Sequence, residues 1–133
     1  MASALGTARA DLGAILTGLG IKVRESPSEG HVSPPAAIVV PATEWVIPNR
    51  QLGADLHARV GFGVILITGK VAAGVSLSDL EALLESVIVE VISGAAGQWV
   101  IGSVSGPAAL TIAGTDYLTA TLTLTRNLVI AQP

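Results

Sequence analysis

Cysteine is absent from the chain, which removes disulfide frameworks, thiolate nucleophiles and cysteine-zinc sites together and fits a protein made in a reducing cytoplasm. Charge is scarce as well. Only 13% of residues are Asp, Glu, Lys or Arg, the net charge is -3, and no basic block or basic-aromatic stripe exists to neutralise phosphates. Nucleic acid binding as the main function is thereby disfavoured. No apolar run approaches the roughly 20 residues of a membrane-spanning helix. Val60 to Ile67 is too short, and Val87 to Ile92 is broken by Glu90. No basic segment leads into an apolar stretch at the N-terminus, so no signal peptide is expected.

What is present is largely aliphatic: half of the 133 residues are hydrophobic, while aromatic residues make up 3%. That length suits a single domain over residues 1–133, able to bury a core without metals or cross-links. The apolar excess, in a chain without a membrane span, predicts that some apolar surface is buried between subunits.

The plainest local signal runs from Tyr117 to Val129. Leu118, Ala120, Leu122 and Leu124 alternate with Thr119, Thr121, Thr123 and Thr125, which predicts a half-buried strand with one aliphatic and one hydroxylated face. Threonine suits that geometry because its branched Cβ is already restricted.

From the N-terminus, Ala2 to Leu19 has the spacing of a helix, with Leu5, Ala8, Leu12, Ile15, Leu16 and Leu19 on one stripe and Gly20 placed to close it. Ile21 to Arg24 reads as a short extended piece. Ala36 to Val40, after Pro34-Pro35, reads as a buried strand ending at Pro41, and Trp45 to Ile47 as a second short one stopped by Pro48. Leu56 to Val71 is the longest strand candidate, with one apolar face and another that changes from His57 and Arg59, through Gly61 and Gly63, to Ile65 and Ile67. Ser78-Asp79-Leu80-Glu81 reads as a capping box opening a helix to about Ser93, with Leu80, Leu83, Leu84, Val87, Ile88 and Val91 as its core stripe. Trp99 to Val104 and Leu110 to Ala113 read as strands, and Gly114-Thr115-Asp116 turns into the last one, so antiparallel pairing is expected there. The fold class expected is α/β (α+β): a mixed, largely antiparallel sheet packed on one face by two helices.

Catalytic signatures are missing where they would be sought. Gly102-Ser103-Val104-Ser105-Gly106 has valine where a nucleophile elbow needs serine, and Gly61-Phe62-Gly63 lies inside a strand without the third glycine of a dinucleotide loop. His31 and His57 have no carboxylate cluster near them in sequence and read as solvated. Asp79, Glu81 and Glu85 favour the start of a helix and its solubility rather than acid-base work. Trp45 and Trp99 both read as core anchors. The remaining polar concentration, Asn49, Arg50, Gln51, Asp55, His57 and Arg59, falls in a predicted loop and strand base and is a candidate interface. No catalytic, metal or cofactor-binding residue is assigned, and the chain is not expected to be an enzyme.

The order of elements resembles the tail terminator proteins of long non-contractile-tailed bacteriophages, sometimes described as minor tail or head-tail connector proteins. The resemblance rests on the leading helix ending at Gly20, Pro34-Pro35-Ala36-Ala37-Ile38-Val39-Val40-Pro41, Leu80 to Ile92 followed by Gly97-Gln98-Trp99-Val100, and Gly114-Thr115-Asp116-Tyr117-Leu118. It implies an α/β subunit assembling in the host cytoplasm as a homo-oligomeric ring, usually a hexamer, at the head-proximal end of the tail in the virion. Such a ring stops growth of the tube, with the tail tube protein and a head-completion or connector protein as partners, and DNA only passing through its channel. It carries no cofactor and contacts no membrane. Each subunit then needs two different adhesive surfaces, because ring interfaces are heterologous. On this reading Thr119, Thr121, Thr123 and Thr125 are candidates for the lumen or for a seam between subunits. The rival readings are another neck component, such as a head-closure or adaptor protein, a small α/β enzyme, or a monomeric ligand-binding domain.

Overall fold

The elements follow the expected order: α1 (Ala4–Gly18), β1 (Lys22–Arg24), β2 (Ala36–Pro48), β3 (Leu56–Lys70), α2 (Leu77–Ser93), β4 (Val100–Val104), β5 (Ala108–Ile112) and β6 (Thr115–Ala131). The structure is a computed structural model that describes residues 4–24, 34–48, 56–74, 77–93 and 99–131. It is an α+β domain whose six strands form one mixed, mostly antiparallel sheet in the order β1-β2-β3-β6-β4, with β5 also paired to β6. Among the described residues only β1 and β2 run parallel.

β6 organises the sheet because it is long enough to be shared. Along one side it pairs with β3, from Leu56 opposite Ala131 to Lys70 opposite Tyr117. Along the other, β4 and β5 lie end to end, with Val100 opposite Thr125 and Ile112 opposite Thr115. The Ala113-Gly114 tip, with φ of 51° and 80°, is a two-residue loop in the left-handed region, the geometry that matches strand twist in a tight hairpin.

Residues opposite one another in a ladder share a face, so the register sorts the side chains. Val60, Phe62, Val64 and Leu66 of β3 lie with Leu122, Leu124 and Leu128 of β6 in one buried cluster. Both helices close it, α1 through Ala8, Leu12 and Leu16, and α2 through Val87 and Val91. Each such side chain, fully buried, contributes roughly 1.5–3 kcal/mol of transfer free energy. α1 ends as its glycine predicts: Gly20 has φ of 80°, Ile21 N-H donates to Leu16 O at 3.1 Å and Gly20 N-H to Thr17 O at 3.0 Å. These two bonds form a Schellman closure, and buried Ile21 is its apolar contact.

The opposite face has a core of its own at one end. Ala36 and Ile38 of β2, Ile67 of β3, Ile112 of β5 and Tyr117 of β6 form a second buried cluster to which no helix contributes. Neighbouring side chains on this face thus join β2, β3, β6 and β5 into one cluster. The change of the second face of β3 from polar to apolar is the trace of this cluster in the sequence.

Several local expectations differ from what forms. Pro41 does not end a strand: β2 continues to Pro48 through an irregularity between Pro41, opposite Phe62, and Val46, opposite Val60. Five residues of β2 advance there while β3 advances two, a bulge that accommodates a proline with no N-H to give to the ladder. Ser78 is the second residue of α2 rather than its cap, because the helix begins at Leu77. The tryptophans divide. Trp99 is buried at 4% exposure, edge-on to Phe62 with centroids 6.0 Å apart, and Arg126 sits over its ring at 5.6 Å. Trp45 is 45% exposed, turned out by the bulge.

Truncating the two should therefore separate them. Trp99→Ala is expected to cost about 3–5 kcal/mol in urea unfolding, as for a buried aromatic. Trp45→Ala is expected to change stability by no more than about 0.5 kcal/mol.

Candidate functional site

The helix-free face of the sheet, beyond its small core, forms an open groove of ≈ 440 Å³. Its floor is set by Gly61 and Gly63 on β3, and its wall by Thr121, Thr123 and Thr125 on β6. Val40, Pro41, Ala42 and Ile47 close the far side, and Arg59 lies at the end where Ile47 is its ladder neighbour. The register explains the depth. Gly63 lies between Val40 and Thr123, and Gly61 is opposite Thr125, so the central strand has no side chain where its neighbours do. A Cβ at Gly63 would stand 3.4 Å from Val40 Cγ2, an ordinary contact, so a shallow groove rather than close packing favours glycine there.

The predicted site residues divide across this geometry. Arg59 and the threonines at 121, 123 and 125, which come from separate stretches of sequence, are brought to one surface. Thr119 is not part of it. Although in phase with the other three, it is 4% exposed and its hydroxyl donates to Ala108 O at 3.1 Å, tying β6 to β5. His57 lies on β3 with Val129 as its ladder neighbour. Asn49, Arg50, Gln51 and Asp55 lie outside the described residues.

Sequence reasoning missed a second kind of site, the sorting of exposed apolar side chains. Val23, Trp45 and Val46 lie on β1 and β2, at one end of the sheet. Val100 and Val104 lie on β4, at the other, and Leu77, Val89 and Ile92 on α2, which packs over β3, β6 and β4, with Val71 in the turn before it. Ile92 is 68% and Val100 63% exposed. The described side chains of β3 and β6, between the two ends, contribute none of these. At the first end a cleft of ≈ 230 Å³ is lined by Leu5, Gly6 and Arg9 of α1 with Pro41, Trp45 and Phe62. Periodicity could have flagged Val89 and Ile92, which fall off the core stripe of α2, but not Trp45, whose exposure depends on the bulge.

Also unforeseen is the ion pair between Arg126 on β6 and Asp11 on α1, at 3.1 Å, which holds the guanidinium over Trp99. It is partly exposed and worth at most about 1 kcal/mol. Its effect is to fix α1 against the sheet rather than to do chemistry. Among the described residues no three His, Cys, Asp or Glu side chains gather as a metal site, and no helix is long and apolar enough to cross a membrane.

No protein-family model matches the chain. Nor does any curated protein match it significantly in sequence.

The threonines give a direct check of this division. Thr119→Val, which removes a buried donor, is expected to lower stability by about 1 kcal/mol. Thr123→Val in the open groove is expected to stay within about 0.5 kcal/mol of the parent in the same urea titration.

Proposed function

We propose that the protein is a ring-forming virion subunit of the phage tail-head junction, capping the head-proximal end of the tail tube and offering a surface for head attachment. The observation that carries this reading is the division of its exposed large apolar side chains into two groups, one at the β1–β2 edge and one on α2 and the β4 edge. A monomer gains nothing from two such surfaces. A subunit that binds a copy of itself on each side needs both, and closure of the ring limits the assembly. The sequence resemblance to tail terminators points the same way, and the apolar excess finds its use in the interfaces.

The groove has a narrower assignment on this reading. A lumen wall that lets DNA slide should be neutral, whereas Arg59 makes one end of the groove cationic. The groove therefore belongs to a seam, where a neighbouring subunit or the tube can fill the space over Gly61 and Gly63.

Light scattering on the purified chain is expected to give a closed oligomer of defined size. Added to tail tubes still elongating in vitro, it is expected to stop growth at substoichiometric ratio to the tube subunit. A ring that leaves tubes growing but joins finished tails to heads would instead make it an adaptor of the neck, and a monomer at all concentrations would remove the ring reading.

A further inference from the structure

Charge is scarce in this chain, and its distribution repeats that of the exposed apolar groups. α2 carries Asp79, Glu81, Glu85 and Glu90 and no basic residue. Counting 100° per residue, Glu81, Glu85, Val89 and Ile92 fall on its outward face, opposite the Leu80, Val87 and Val91 stripe that is buried. All four are exposed, so this face has two carboxylates toward its N-terminal end and two large aliphatic groups toward its C-terminal end.

The β1–β2 edge of the sheet has the complementary composition. Arg9 lies on the flank of α1 that faces β2, beside Trp45 and Pro41 in the cleft, while the ion-paired Asp11 reaches the other way to Arg126. β1, at this edge, adds the exposed Lys22. β1 covers β2 only from Ala36 to Ile38, so among the described residues the outer side of β2 from Val39 onward has no strand beside it. α2 lies away from this edge: it packs over β3, β6 and β4, whereas α1, which touches it, packs over β1, β2 and β6.

We infer that the outward face of α2 docks into the Arg9–Trp45 cleft of a second copy of this chain, with Glu81 and Glu85 placed against Arg9 and with Val89 and Ile92 covering Trp45. This contact rests on the ring reading and specifies its interface. The two surfaces are different and lie on separate parts of the subunit, so the contact is head-to-tail and repeats from copy to copy. Aliphatic groups against a half-exposed tryptophan supply the area, and the opposite charges set the register and exclude a head-to-head pairing, in which carboxylates would meet carboxylates.

The test is a charge exchange on the full chain, read by sedimentation and light scattering over a concentration series. Circular dichroism would check that each variant stays folded, which substitutions at exposed positions should preserve. Glu81→Arg with Glu85→Arg, and separately Arg9→Glu, are each expected to raise the concentration for half-assembly by about tenfold or more. Combining all three is expected to bring it back toward the parent value. Trp45→Ala is expected to weaken assembly while leaving unfolding unchanged. Charge variants that assemble like the parent overturn the contact but leave the ring reading standing, as does a combined variant no better than its parts. Charge-dependent assembly that restores on exchange, in a protein that neither stops tube growth nor joins heads to tails, supports the contact and removes the proposed role.

Discussion

The structure depends on one register, that between β3 and β6. Phe62 opposite Leu124, Val64 opposite Leu122 and Leu66 opposite Ala120 put the main apolar stripe of this central pair on the helix-covered face. A slip of one residue would turn the leucines outward and the threonines onto the helices, so the pairing is fixed by the cost of that exchange. The helices then have one place to go. α1 and α2 each bring an aliphatic stripe and cover the same face side by side, and Trp99 seals the space under Arg126 and Asp11.

The same register makes the other face. Because β3 places glycines between the threonines of β6 and the aliphatic residues of β2, the sheet is thin there and a groove results. Where β3 changes to Ile65 and Ile67 the same face instead buries a small core with Tyr117. One alternating strand thus serves three surroundings along its length: a helix-covered core, a small second core and an open groove. On the proposed reading, function lies outside all three, at the β1–β2 edge and along α2 and β4, where the large apolar groups are exposed.

Most of the elements were legible in the sequence, because each is reported by neighbours in the chain. The periods of α1, α2, β3 and β6, the closing glycine at Gly20 and the hairpin order of the last strands are local facts. The departures share a cause. In sequence Pro41 marks the end of a strand, yet the structure keeps the strand and bulges it. Trp45 has the character of a core anchor, but it lies 45% exposed beside the bulge. Thr119 shares the phase of the other threonines, but it is buried and its hydroxyl donates to Ala108 O of β5. Of the candidate interface residues, Arg59 reaches the groove, and nothing local in the sequence joined it to the threonines more than sixty positions away.

The sequence by itself determined which face of each helix and strand is apolar, since side-chain direction follows from a period of 3.6 or 2 and needs no knowledge of the neighbours. It also determined that the chain has more apolar surface than a small fold readily hides. Tertiary structure alone decided where that surplus lies. Exposure is a property of what packs on a residue, and the partners of Trp45, Thr119 and Val100 are set by strand order, by a bulge and by which edges of the sheet remain open.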